Sequence, residues 1–407
     1  MLERMTKLLT GRRAAAAFLA VGLLPLAACA GKRTPAEQRE ARAGSKDGDI
    51  VVAAVWPWAT RKEIRFGEGV DLAVEEINAA GGIGGRKLAI RREDDRESVN
   101  DGLMVAQRIA QDPSVVAVIG HLQSYVTVPA AATYDAAGVV LVSPVSTDPD
   151  LTAKGYRHVF RVVNTNAQTG SRMADYAAQR GFKNVAIYYV ENSYGHTLAQ
   201  AFEEVAATHG ITIQARAAYD PDQDMNGRGF QPTLQQWKQL QPDAIFVAGE
   251  VPLAGKLIAE IRAAGITVPV LGTDAMASPS LIQTGGAAVE GTVVPTFFDP
   301  AEENPASQRF VQAYRKRYGT LPDAGSALGY DAVNVIANGL RQAGSTSPAA
   351  LANAIRGIRG LAGSTGTFSY QDNGDVAARE LVLTVVRNGK FEYLSVGAAP
   401  AAKVANR

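Results

Sequence analysis

The chain has 407 residues, of which 46% are hydrophobic, and a formal net charge of +1. This length and composition allow a large buried core and predict more than one domain. The 41 basic residues are nearly balanced by 40 acidic ones and are scattered rather than striped, so the sequence gives no support for nucleic-acid binding.

The N-terminus has the features of a targeting segment. Residues 1–13 are positively charged, and residues 14–26 form an apolar run that is too short to span a bilayer comfortably. The run ends in Leu-Ala-Ala before Cys29, the single cysteine, and this motif resembles bacterial lipoprotein signals. We therefore predict a signal peptide at 1–28 and lipid attachment at Cys29. The alternative is an ordinary secretory signal with an incidental cysteine.

Residues 29–48 are polar and charged without an apolar period, which predicts a flexible tether. After the tether, short apolar runs alternate with segments of helical period, which is typical of a parallel α/β sheet. The strands predicted in this first part lie at 50–55, 88–92, 115–119, 139–142 and 159–163. The helices between them begin near residues 66, 98 and 126.

The alternation restarts after residue 164, which predicts a second parallel-sheet domain. Its strands are expected at 185–190, 211–215, 244–248 and 268–271. The strand at 293–296 is predicted to return to the first domain, followed by helices at 306–318, 326–343 and 348–356. The segments 366–370 and 381–386 then predict a terminal hairpin-like element.

Loops that follow strands at the carboxyl edge of such a sheet are where ligands bind. The loop after 115–119 leads into a helix near Ser124, whose hydroxyl and free helix N–H groups suit an anion. The loop 143–147 offers further hydroxyls. In the loop after the first strand, Trp58 could face a ligand, or it could pack between the loop and the core.

The residues around these loops follow the pattern G-H-x-x-S…P-A-A…Y-x-x-A-G-V…S-P…T-x-P-x-L-T. This pattern resembles the periplasmic branched-chain amino acid (Leu/Ile/Val) binding proteins of ABC transporters, and the resemblance extends over about residues 49–393. It implies an α/β type I periplasmic binding fold, with two Rossmann-like lobes whose parallel sheets are joined by a three-segment hinge.

By position, the hinge segments implied by the resemblance fall near residues 164, 295 and 366. The predicted lobes and tail follow from these crossings: lobe 1 at 49–164 and 295–366, lobe 2 at 165–294 and 367–396, and a disordered tail at 397–407.

The resemblance also implies roles for individual residues. It places Ser124, the backbone of Val145 and Thr147 on the α-carboxylate of a ligand. It places Asp274 where the family uses a glutamate for the α-amino group, and Tyr194 where an aromatic ring closes over the ligand. The alternatives are capping for the two hydroxyl residues, a solvated turn for Asp274 and simple packing for Tyr194.

One departure from the family concerns the ligand's side chain. Where the family has an aromatic pair after the strand at 244–248, this chain has Glu250 and Val251. Because an unpaired buried carboxylate is costly, we expect Glu250 to contact the ligand and to favour a polar or cationic amino acid or a related amide over leucine.

The sequence contains no metal-ligand spacing, no phosphate-binding loop and no nucleophile–base arrangement, so we predict no cofactor and no catalytic site. The predicted protein is a monomer, lipid-anchored at the periplasmic face of a bacterial membrane. It would deliver an amino acid or amide to an ABC permease and its ATPase. The alternatives are a regulatory lipoprotein of the same fold that activates a cell-wall synthase, a ligand sensor, and, least favoured, a hydrolase.

Overall fold

The structure is a computed structural model, and it describes residues 33–220 and 230–394. From Pro35 onward, the described residues form one compact unit. The predicted signal peptide, the acylation site at Cys29 and the predicted tail at 397–407 lie outside the described residues.

Strands and helices alternate through most of the chain, as the apolar periodicity predicts. The strands are β1 (Ile50–Val55), β2 (Leu88–Glu93), β3 (Val115–Ile119), β4 (Val140–Ser143), β5 (Val159–Arg161), β6 (Asn184–Val190), β7 (Thr212–Tyr219), β8 (Ala244–Ala248), β9 (Val270–Leu271), β10 (Val293–Thr296), β11 (Leu361–Gly363), β12 (Gly366–Phe368), β13 (Val382–Arg387) and β14 (Lys390–Leu394). The helices are α1 (Pro35–Arg42), α2 (Phe66–Ala79), α3 (Val99–Gln111), α4 (Ser124–Ala136), α5 (Asp150–Ala153), α6 (Asn166–Gln179), α7 (Ser193–Thr208), α8 (Gln231–Leu240), α9 (Leu253–Ala263), α10 (Pro279–Gly285), α11 (Pro305–Tyr318), α12 (Ala324–Ala343) and α13 (Pro348–Arg356).

Two sheets define two lobes. Lobe 1 contains a parallel five-stranded sheet in the order β2-β1-β3-β4-β5. Its core lies on both faces of the sheet, with α2, α12 and α13 on one face and α3 and α4 on the other. The strands β3 and β4, which are apolar except for Ser143, are buried along their whole length, as is typical of parallel strands covered on both sides.

Lobe 2 contains a seven-stranded sheet in the order β14-β13-β10-β9-β8-β6-β7. The five strands from β10 to β7 are parallel, whereas β13 runs antiparallel to β10 and β14 antiparallel to β13. The α/β class and the two largely parallel sheets confirm the fold class predicted from the sequence.

The sequence predicted that the strand at 293–296 returns to lobe 1, and this prediction is wrong. Val293 pairs with Leu271 on one side and with Val385 on the other, so β10 belongs to the second sheet. The chain crosses to lobe 1 only after Thr296.

The predicted terminal hairpin is also wrong. β12 pairs with β11, while β13 pairs with β10 and β14. Phe368, Tyr370 and Val376 are buried in the core of lobe 1. The third crossing therefore lies near Arg379 rather than Gly366. There the Asn164 side chain donates a 2.6 Å hydrogen bond to the Arg379 carbonyl, which ties the first and third crossings together.

The predicted tether contains an ordered helix, α1. Arg39 in this helix is 2% exposed, and its guanidinium donates to five carbonyl oxygens at the ends of α3 and α4 and the start of β3. A cation at two helix C-termini satisfies carbonyls that have no partner within the helix. Residues 35–42 are therefore an integral part of lobe 1.

Candidate ligand-binding site between the lobes

A cavity of about 150 Å³ lies between the lobes, at the carboxyl edge of both sheets. The loops after β1, β3 and β4 form its lobe 1 side, and the loops after β6, β8 and β9 form its lobe 2 side. Of the residues that the sequence predicted as ligand contacts, five line this cavity: Ser124, Val145, Tyr194, Glu250 and Asp274.

The lobe 1 side presents the start of α4. Ser124 is the first residue of this helix and is 4% exposed, so its hydroxyl and the first helix N–H groups meet at the cavity wall. The Ser146 hydroxyl donates to the Ser124 hydroxyl over 3.1 Å, which links the two loops that the sequence had paired. Together they form a polar corner suited to an anion.

A buried network holds the loop that leads into α4. His121 Nδ1 lies 2.7 Å from a carboxylate oxygen of Asp95, and its Nε2 lies 3.1 Å from the Tyr134 hydroxyl. Gly120 passes so close to β1 that an added Cβ would lie 2.3 Å from the Val55 carbonyl oxygen. Both features fix the backbone that carries Ser124.

The lobe 2 side presents a carboxylate. Asp274 follows β9, and the Tyr194 hydroxyl at the start of α7 donates to its Oδ1 over 3.2 Å. Burial raises the pKa of Asp274 to about 6, although the hydrogen bond from Tyr194 acts in the opposite direction. At neutral pH this site therefore offers a negatively charged acceptor opposite the anion corner of lobe 1.

Glu250 pairs with lobe 1 across the cleft. Its carboxylate accepts from the Gln123 amide over 3.1 Å and from Asn192 of its own lobe over 3.5 Å. Burial raises the pKa of Glu250, and the nearby Arg61 guanidinium counteracts this shift. Arg61 also donates to the Val251 carbonyl oxygen over 3.1 Å and pairs with Glu97. Glu250 is thus paired within the protein.

Two predicted contacts do not line the cavity. The Trp58 indole N–H donates to the Glu93 carbonyl oxygen over 3.0 Å, and the ring packs against Phe66 and under the Arg92 guanidinium. This is the packing alternative left open by the sequence. Thr147 is fully buried, and its carbonyl oxygen accepts from the Asn166 backbone over 2.7 Å at the crossing into lobe 2.

The sequence has clear relatives. The family model described as "Periplasmic binding protein" matches residues 63–390. The chain belongs to this family. The Leu/Ile/Val-binding protein homolog 3 of Brucella melitensis is 31% identical over 350 residues, which cover 84% of this chain and 93% of the relative.

Solved structures agree with the family. An ABC transporter substrate-binding protein from Desulfitobacterium hafniense, in complex with Leu, is 36% identical with a TM-score of 0.76, and the match covers 85% of this chain and 100% of that one. A leucine binding protein from Thermotoga maritima is 29% identical with a TM-score of 0.79, and the match covers 85% and 98% of the two chains. These matches confirm the resemblance drawn from the sequence and the type I periplasmic binding fold.

The periplasmic binding protein's cavity also contains residues that the sequence analysis did not select. Arg61 and Gln123 line its polar part, while Phe297 and Leu328 line its apolar part. Phe297 directly follows β10, and Gln123 lies in the loop between β3 and α4. Because loops that follow parallel strands form ligand sites, the sequence position of both residues could have identified them as cavity residues. Leu328 lies within α12, and nothing in its local sequence distinguishes it from a core residue.

Within residues 33–220 and 230–394, no cluster of three or more histidine, cysteine or acidic side chains could hold a metal ion. The helices in these ranges are all too short or too polar to cross a membrane.

Proposed function

We propose that this periplasmic binding protein captures a free α-amino acid between its lobes and delivers it to an ABC permease driven by an ATPase. The observation that carries the proposal is the polarity of the cavity. The anion corner at Ser124 and the Tyr194–Asp274 pair line the same cavity of about 150 Å³ from opposite lobes. A zwitterion has the complementary charges, and each charge-assisted hydrogen bond contributes about 1.5–3 kcal/mol.

The rest of the cavity favours an aliphatic side chain. Five apolar residues of lobe 1 line it: Ile64, Leu122, Val145, Phe297 and Leu328. The physical reason for expecting a polar or cationic ligand no longer holds, because Glu250 accepts hydrogen bonds from Gln123 and Asn192 and faces Arg61. Because the whole cavity is only about 150 Å³ and part of it is polar, the apolar part has room for a small side chain. We therefore propose a small aliphatic amino acid such as leucine, isoleucine or valine.

Calorimetric titration with the common amino acids tests this proposal. Aliphatic amino acids should bind and raise the melting temperature, because a ligand specific for the folded state stabilises it. Lysine and arginine should bind at least about tenfold more weakly, a difference of about 1.4 kcal/mol. If no amino acid binds, the transport proposal fails and the regulatory lipoprotein takes its place.

We further propose that the protein is a monomer attached to the periplasmic face of the membrane by acylation of Cys29. The support is the basic and apolar leader that precedes this residue. Cys29→Ser should move the protein from the membrane fraction to the soluble fraction. Retention of the variant in the membrane would exclude the lipid anchor.

A further inference from the structure

A second chamber of about 950 Å³ borders the ligand cavity within the cleft. The two spaces share a small set of lining residues from both lobes: Arg61, Glu63, Gln123, Glu250 and Val251. Residues that face both spaces lie between them, so these groups separate the two chambers.

Hydrogen bonds between the lobes join this set into a wall. The Gln123 amide of lobe 1 donates to Glu250 of lobe 2 over 3.1 Å, and the Arg61 guanidinium donates to the Val251 carbonyl oxygen over 3.1 Å. Glu97 pairs with Arg61 and accepts from Gln123 over 3.3 Å, which fixes both lobe 1 side chains. We call the side chains of Arg61, Gln123 and Glu250 the dividing wall.

The dividing wall borders the charged end of the proposed ligand. Gln123 is the chain neighbour of Ser124, where the ligand carboxylate is proposed to bind. The charge of Glu250 acts on Asp274, where the ligand ammonium is proposed to bind. The apolar residues that would receive the side chain do not line the second chamber: Ile64, Leu122, Val145, Phe297 and Leu328. Any group attached to the amino or carboxyl end of the ligand would therefore point toward the wall.

We propose that the dividing wall determines ligand length, so that the closed protein accepts free amino acids and excludes peptides. This inference rests on the proposed function and deepens it. The wall excludes a second residue by occupying the space it would need and by pairing polar groups that a peptide would have to separate. Removing a wall side chain joins the chambers and gives the second residue a place to bind.

The second chamber has the chemistry to receive such a residue. Tyr125 lines it from lobe 1, and Asn192 and Tyr219 line it from lobe 2. Aromatic rings and amide groups of this kind can pack against a peptide unit and hydrogen-bond its N–H and C=O groups. The side of the wall away from the ligand cavity is thus suited to a dipeptide's extra residue.

The test compares leucine with the dipeptides Gly-Leu and Leu-Gly by calorimetry on the full folded protein. Wild type should bind leucine at least about 100-fold more tightly than either dipeptide, since a specific site rejects ligands that clash with it or unpair its polar groups. Two alanine variants, one in each lobe, should lower the ratio of leucine affinity to dipeptide affinity by about tenfold or more for at least one dipeptide. These variants are Glu250→Ala and Gln123→Ala. The matched variant Glu250→Gln keeps the side-chain length and should leave the ratio within about threefold of wild type.

The outcomes separate the two proposals. Wild-type protein that binds leucine but accepts the dipeptides equally well refutes the length filter alone. So does an unchanged ratio in both alanine variants when circular dichroism shows that they are folded. If Glu250→Gln shifts the ratio as much as Glu250→Ala, the charge of Glu250 rather than its size excludes the dipeptide, and the steric part of the length filter is wrong. If wild type binds no amino acid, the proposed function itself fails and the length filter with it.

Discussion

Replacing Asp274 with asparagine tests the charge that the site presents to the ligand. The substitution preserves the size of the side chain and leaves an amide oxygen that can still accept from the Tyr194 hydroxyl. It removes the negative charge opposite the proposed ammonium group. Loss of one charge-assisted hydrogen bond weakens binding by about 1.5–3 kcal/mol, which corresponds to about 10- to 150-fold in Kd.

The same carboxylate should make amino acid binding pH-dependent. The pKa of Asp274 is raised to about 6 by burial, and a ligand ammonium favours the ionised form. Wild-type affinity should be full above about pH 6 and fall by up to about tenfold per pH unit below it. Affinity of the asparagine variant should be nearly flat between pH 5 and pH 8, because its amide does not titrate in this range.

The variant should also be more stable than wild type without ligand. A carboxylate whose pKa rises from 3.8 when unfolded to about 6 when folded lowers the free energy of unfolding at neutral pH by about 2–3 kcal/mol. This cost is present above about pH 6 and disappears as the pH falls through 6 toward 4. The melting temperature of Asp274→Asn should therefore exceed that of wild type at pH 7, and the two should converge near pH 4.

Calorimetry at four pH values and thermal melts of ligand-free protein measure these effects. Tyr194→Phe serves as a control, because it removes a hydrogen bond to Asp274 and retains the carboxylate. Its binding should keep a pH dependence, with a midpoint shifted upward. The reasoning is refuted if Asp274→Asn binds within about threefold of wild type, or if its affinity still falls below pH 6.

Four other substitutions test the assignments of single residues. Arg39→Ala should lower the free energy of unfolding in urea by about 2–4 kcal/mol, because it leaves several helix-end carbonyls without a partner; a loss below about 0.5 kcal/mol would contradict this. Ser124→Ala should weaken amino acid binding by about tenfold, whereas Thr147→Ala, outside the cavity, should change it by less than about threefold. Trp58→Phe should reduce the melting temperature, because it removes the hydrogen bond to Glu93, and should leave ligand affinity nearly unchanged. A large loss of affinity would show that Trp58 contacts the ligand.

The sequence predicted the sheets well because parallel strands buried on both faces leave a strong local pattern. β3 and β4 are short apolar runs that end in polar loops, and both lie where the pattern placed them. The loops after such strands necessarily meet at one edge of the sheet, which indicated Ser124, whereas Asp274 was indicated by the resemblance to the family.

The errors lie where tertiary contacts override the local pattern. α1 is too polar for its period to predict a packed helix, and its place in the fold depends on Arg39 reaching carbonyls about 70 to 98 positions away. The third crossing was misplaced because the local sequence around Phe368 and Tyr370 is compatible with a strand in either lobe. Trp58 has both an apolar ring and an N–H donor, and only its partner Glu93 decides between packing and ligand contact.

The contacts between the lobes are the part of the site that local sequence predicts least, and they are also what closure depends on. Gln123 and Glu250 are 127 positions apart, and neither alone indicates a partner. Each such charge-assisted contact contributes about 1.5–3 kcal/mol net, so the wall by itself stabilises the closed form by only a few kcal/mol. A ligand that contacts Ser124 on one lobe and Asp274 on the other adds interactions that exist only when the lobes are closed. Because a ligand shifts a conformational equilibrium by its differential affinity for the two states, this arrangement couples closure to capture.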